Sequence, residues 1–219
     1  MRGTARAARP FLYAVWSEAT KLPALPATRR VLAAATLLAV VLRVRQPAEA
    51  GAPDNGGYVL LQVLAAALGA LSVTSEYASG MMRLSLVAVP GRGRLLGAKA
   101  VVCAAAGFLV GAVSGPAGGL YLALAGLAGV ATGFLVRTAA ASWALLAGAA
   151  AGDSLLVRLL PDRTARAAAR YSPTAAGDRL LGGRHVPHAL SPWAGAGILA
   201  TVAAVALVSA FIVALHREH

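Results

Sequence analysis

The sequence predicts an all-α polytopic membrane protein of about six transmembrane helices, preceded by an amphipathic helix lying in the membrane interface. Three observations point there. Of the 219 residues, 58% are hydrophobic and only 13% charged, and the mean hydropathy is +0.71, a balance outside the range of soluble globular chains. The apolar residues come in long runs: Asn55 to Ser75 is 21 residues without a formal charge, and Ala100 to Val136 is another 37. A crossing takes about 20 mainly apolar residues and satisfies its backbone inside its own helix. The whole chain, 1–219, therefore reads as one transmembrane domain with no room for a large soluble one.

The elements follow in order. Pro10 to Lys21 reads as an amphipathic helix, with Pro10 at a first helical position and Phe11, Leu12, Val15, Trp16 and Ala19 on one face. It places residues 1–24 at the cytoplasmic interface. The apolar run Val31 to Leu42 is too short to cross alone, at about 18 Å of helix. It becomes a first span over residues 25–44 if Arg29, Arg30 and Arg43 snorkel toward the two interfaces. An alternative reading makes Arg29-Arg30, the apolar run and Ala48-Glu49-Ala50 a secretory signal with its cleavage site. Arg43 and Arg45 intrude on that pattern, and intact Met1-containing protein in membranes would exclude it.

A second span covers residues 58–74. The third and fourth lie between Lys99 and Arg137, divided at Ser114-Gly115-Pro116-Ala117-Gly118-Gly119, a turn that ends one helix and lets the chain re-enter with almost no loop. A fifth runs over 138–160, closed by Pro161, and the last over 193–215. Six crossings put both termini on one side. Residues 75–98 then form a hinge at the cytoplasmic face and 161–191 an external loop. Twelve basic residues fall on the proposed cytoplasmic side and eight outside, six of the latter being Arg158 and those of the 161–191 loop. Since the positive-inside rule weighs short loops most, the bias favours a cytoplasmic N-terminus and a location in the cytoplasmic membrane.

Composition also excludes classes of function. A net charge of +12 suits nucleic acid in principle, but the basic residues sit in short segments between apolar runs, where they meet lipid headgroups. No nucleic-acid partner is expected. A single cysteine, Cys103, excludes an intrachain disulfide, and its apolar surroundings suit packing. Arginine outnumbers lysine eighteen to two, which singles out Lys21 and Lys99.

Catalytic chemistry is missing. His185 and His188 form an H-x-x-H whose nearest carboxylate, Asp178, is seven residues from His185, so no metal-ligand set is assembled in the sequence. Gly93 to Ala100 has the wrong spacing for a phosphate loop, and Ala100 stands where a magnesium-binding hydroxyl is needed. Any nucleotide energy must come from a second polypeptide. Asp153, the one acid inside a proposed span, pairs most simply with Arg158 about a turn on. Glu18 and Lys21, three apart, suit a local pair worth about 0.2–0.5 kcal/mol if exposed. Glu76 ends an apolar helix and leads into Gly80 and Pro90, which permit a short bent element, with a solvated cap as the plainer reading. Gly107, Gly111 and Gly115 recur every four residues, as do Gly129 with Gly133 and Gly148 with Gly152. Small residues so spaced let helices approach closely, within one subunit or between two.

Six stretches stand in order along the chain: Ser17-Glu18-x-x-Lys21, Thr74-Ser75-Glu76-Tyr77-x-x-Gly80-Met81, Val89-Pro90-x-Arg92-x-Arg94-x-x-x-Ala98-Lys99, Gly133 to Thr138, Tyr171-Ser172-Pro173 and Ser191-Pro192-Trp193-Ala194-Gly195. Together they resemble the ABC-2-type transporter permeases. Almost the whole chain is covered. The resemblance implies a six-helix permease subunit of an exporter that forms a homodimer or heterodimer and docks separate ABC ATPase subunits. It implies that Glu18, Lys21, Glu76, Tyr77, Gly80, Pro90, Arg92 and Lys99 act in coupling to them, and that ATP and magnesium bind the ATPase rather than this chain. No residue inherits a catalytic role. The tight turn between spans three and four and the ending His216-Arg217-Glu218-His219 depart from the family pattern, which keeps open a membrane anchor, regulatory or immunity subunit without a working pathway.

Overall fold

The computed structural model describes residues 2–45, 55–82, 84, 92–159 and 192–216. Among them every long element is a helix: α1 Arg2–Ala24, α2 Pro26–Arg45, α3 Asn55–Ala78, α4 Arg92–Ala112, α5 Pro116–Val136, α6 Ala139–Leu159 and α7 Pro192–His216. Four of them, α3, α4, α5 and α7, are long and apolar enough to cross a membrane. The pair α1 and α2 makes a fifth candidate, bent by 82° at Leu25. Two expected spans fall short of that standard alone. α2 carries Arg29, Arg30, Arg43 and Arg45, and the apolar part of α6 stops at Gly152, before Asp153 and Arg158.

Boundaries differ from the sequence expectation in physically sensible ways. α1 starts at Arg2, eight residues before Pro10, so Pro10 is not the first helical position expected of it; Ala and Arg, which favour helix, precede it. α3 continues past Thr74 through Glu76 and Tyr77 to Ala78. α4 begins at Arg92, so Lys99 lies about two turns into it rather than before it. The hinge expected over 75–98 is thus helical at both ends. Between them, Gly80 takes φ 70, a left-handed value that glycine adopts freely, and Pro90 lies outside the described residues, as does the 161–191 loop with His185 and His188.

The expected hairpin is present. α4 ends in a turn at Val113-Ser114-Gly115, Gly115 holds φ 107, and Pro116 opens α5 where its missing N–H is harmless. Gly115 therefore serves the turn and not, as its spacing suggested, the packing stripe: an added Cβ there would meet nothing. Gly107 and Gly111 do pack, against α5 of the same chain. A Cβ on Gly107 would stand 2.5 Å from the Leu122 carbonyl, and one on Gly111 would strike the Gly118 backbone. Gly129 and Gly133 likewise press on the backbone of α3 at Ala66 and Ala70. Gly148 and Gly152 face open space in this chain.

α5 is the central helix, packed on α3, α4, α6 and α7. Two apolar clusters flank its length. One joins Ala35, Ala39, Leu61, Val110, Leu122 and Leu199 near the α4–α5 turn. The other joins Leu22, Val73, Leu95, Val130, Phe134 and Ala210 at the opposite end. Membership in these clusters fixes direction: α2 and α4 run one way, α3, α5 and α7 the other, so α1 and the end of α7 share one end of the bundle. α7 is the least buried of the apolar helices, showing Val202, Val205, Val208 and Phe211 outward. So large an apolar surface fits a helix solvated by lipid.

Candidate functional site

At the end of the bundle shared by α1, α3 and α4, four charged side chains close into a ring. Lys21 Nζ lies 2.7 Å from Glu18 Oε1 and 2.9 Å from Glu76 Oε1. Lys99 Nζ lies 2.6 Å from Glu18 Oε2 and 3.1 Å from Glu76 Oε1. Each lysine thus bridges the same two glutamates, and charge alternates around the ring. These are the only two lysines in the chain.

Local structure explains how each side chain arrives. Glu18 and Lys21 are three apart, so they share the inner face of α1. Glu76 sits in the last turn of α3, one turn beyond Ser72. Lys99, in the third turn of α4, also donates to the Ser72 carbonyl at 3.0 Å, while Ser72 Oγ donates to Gly69 and accepts from Cys103 Sγ at 3.4 Å. Cys103 stands one turn after Lys99 on α4, so its thiol continues the same polar seam.

Burial sets the energetics. Lys99 is 1% exposed and Glu18 and Glu76 5% each, whereas the Lys21 side chain keeps 32% of its surface. The pair Glu18–Lys21 is therefore no exposed surface pair. Ions taken from water cost several kcal/mol each unless their partners and hydrogen bonds compensate. Among the described residues two positive and two negative charges meet here, and every contact between them is within hydrogen-bonding distance. Burial pulls the Lys21 ammonium down, but hydrogen bonds to Glu18 and Glu76 and their charges outweigh it, leaving its pKa above the ordinary 10.5.

Tyr77 stands beside the ring. Its edge meets Phe134 of α5 at 6.5 Å with the rings 87° apart, and the Arg137 guanidinium lies 5.2 Å over its face. Arg137 caps α5 with φ 63 and donates its N–H to Gly133 at 2.9 Å. A left-handed arginine is uncommon and costs of order 1–2 kcal/mol. Tyr77 and Arg137 thus tie the end of α3 to the end of α5.

Of the residues singled out in the sequence, Glu18, Lys21, Glu76 and Lys99 come together, and Tyr77 abuts them through the α3 turn. Gly80 is exposed two residues beyond that helix and outside the ring. Arg92 opens α4, two turns before Lys99. Ser72, Cys103, Phe134 and Arg137 were not assigned to the site in advance. Ser72 and Cys103 had a signal, each lying four residues from a ring member on a helix. Among the described residues no His, Cys, Asp and Glu group able to hold a metal is found.

Comparison with protein families, curated proteins and solved structures returns no match.

Proposed function

We propose that the chain is the permease subunit of an ABC-2-type exporter, coupling a separate ATPase to movement of its own membrane helices. The observation that carries this is the charged ring. It clamps an amphipathic helix, α1, to the two helix ends that border segment 79–91, so a push on either is felt by α3 and α4 together. Rings of such buried charge are costly to assemble, and stability alone gives weak reason for one. Coupling between two arrangements of packed helices is a mechanical reason.

In this proposal α2 to α7 make six crossings, and α1 lies in the cytoplasmic interface with Leu12, Tyr13 and Trp16 toward lipid, all three exposed. The N- and C-terminal helices meet the cytoplasm at the ring end of the bundle. The ATPase, holding ATP and magnesium, docks near segment 79–91, and two permease subunits pair as a homodimer or heterodimer. A cavity of about 230 Å³ between α3, α5, α6 and α7, with Gln62, Ala66, Thr132 and Leu146 in its wall and no charged side chain among its described lining, offers space for part of a pathway.

The test is co-purification from membranes with the ATPase encoded beside this chain, comparing native protein with Lys21→Gln and Glu76→Arg. Both substitutions break the ring, so ATPase stimulation should fall while the permease stays in the membrane. Unchanged stimulation and transport by Glu76→Arg in an assembled complex refutes coupling through the ring.

A second function has its own supporting observation. Glycines close α3, α4 and α5 backbone to backbone, which suits an anchor or immunity subunit that binds an ATPase and moves nothing. Reconstituted vesicles separate the two: an anchor retains the ATPase without ATP-dependent substrate movement.

A further inference from the structure

Beside the ring, at the elbow between α1 and α2, lies a cavity of about 240 Å³. Leu22, Leu25, Thr28, Ser75 and Met81 contribute to its wall together with the four ring residues Glu18, Lys21, Glu76 and Lys99, yet the surface exposed into it is overwhelmingly hydrocarbon. Its rim is open: Leu25 is 37% and Met81 46% exposed. Its floor is closed, with Thr28 and Lys99 fully buried.

Two hydroxyls in this lining have no hydrogen-bond partner in the protein, Thr28 Oγ1 and Ser75 Oγ, and both are buried. A buried hydroxyl left unpaired is costly, so a ligand that reaches both gains what the protein lacks. The charge of that ligand is constrained as well. Among the described residues the ring is balanced, two ammonium groups against two carboxylates, and a charged head beside it would add a charge at low dielectric.

We propose that this cavity binds one acyl chain of an uncharged acylglycerol, the chain lying along Leu22, Leu25 and Met81 and an ester or hydroxyl oxygen reaching Thr28 and Ser75. Binding needs no ATPase, so it stands or falls separately from the coupling role.

The experiment uses the full chain in phosphatidylcholine nanodiscs with a monoacylglycerol bearing a photoactivatable diazirine in its acyl chain. Labelling saturates, maps to peptides containing Leu25 or Met81, and is displaced by monooleoylglycerol at lower concentration than by oleate or oleylamine. Leu25→Trp fills the rim from an exposed position and abolishes the saturable labelling. Thr28→Val removes the hydroxyl at nearly constant volume and weakens binding roughly fivefold. Because it deletes an unpaired buried group, this variant folds at least as well as native protein, which helix content and thermal unfolding verify. Labelling that never saturates and spreads over α7, equal labelling of native and Leu25→Trp protein, or an unchanged affinity in Thr28→Val overturns the proposal. Better displacement by oleate or oleylamine overturns the uncharged head.

Discussion

Lys99→Met is the most direct probe of the ring. The side chain is 1% exposed and its ammonium contacts Glu18 Oε2, Glu76 Oε1 and the Ser72 carbonyl within 3.1 Å. Removing it leaves two buried carboxylates facing one lysine, and that lysine is a third exposed. Breaking a buried pair by deleting one partner costs about 3–5 kcal/mol, a large share of the roughly 5–15 kcal/mol that holds a domain folded. Charge balance predicts a partial rescue. Adding Glu18→Gln restores neutrality around Lys21 and Glu76, so the double variant should be more stable than Lys99→Met alone. Groups in one network couple by about 0.5–3 kcal/mol. Unfolding is followed by helix ellipticity as dodecyl sulfate is titrated into mixed micelles. A loss under about 1 kcal/mol for Lys99→Met, or strict additivity in the double variant, would refute the view that the charges act as a unit.

Other substitutions test the packing and the cap. Gly129→Ala drives a methyl into the Ala66 backbone and should cost about 1–3 kcal/mol, whereas Gly148→Ala meets open space and should gain up to about 1 kcal/mol from helix propensity. At Arg137, glycine relieves the left-handed backbone while alanine does not, so Arg137→Gly should exceed Arg137→Ala in stability by about 1 kcal/mol though both lose the contact with Tyr77. The raised Lys21 pKa fixes a pH window. The contribution of Lys21 is fully present below 10.5 and is lost as pH rises through its higher folded value, so α1 should loosen in strongly alkaline buffer, read as a change in Trp16 emission that Lys21→Met abolishes.

Much of the fold was legible because membrane helices announce themselves by length and apolarity. The α4–α5 hairpin could be placed from Ser114 to Gly119 alone, and α5 and α7 nearly to the residue. Where charge interrupts an apolar run, sequence places the charge but not its partners. Glu76 reads as the end of a helix and does sit in the last turn of α3, but it is Lys21 and Lys99 that make its buried carboxylate tolerable. Those partners lie 55 residues before it and 23 after. Local periodicity cannot report contacts at such range. The scarcity of lysine did single out two members of the ring, but as a compositional oddity with no geometry attached. Gly115 erred the other way: its four-residue spacing matched a packing stripe, and the turn beside Pro116 claimed it.

The elbow at Leu25 ends α1 and turns the chain into α2. The ring grips α1 at Glu18 and Lys21, and about two turns nearer its start Ala14 is buried and Phe11 lies against Gly97 of α4. From Phe11 to the elbow, about 21 Å at 1.5 Å per residue, α1 is therefore seated on α4 and moves with it. Because α2 leaves the elbow at 82°, a displacement of α1 across its own axis is directed along α2. A load on α1 is thus shared at once by α4 and reaches α2 through the elbow.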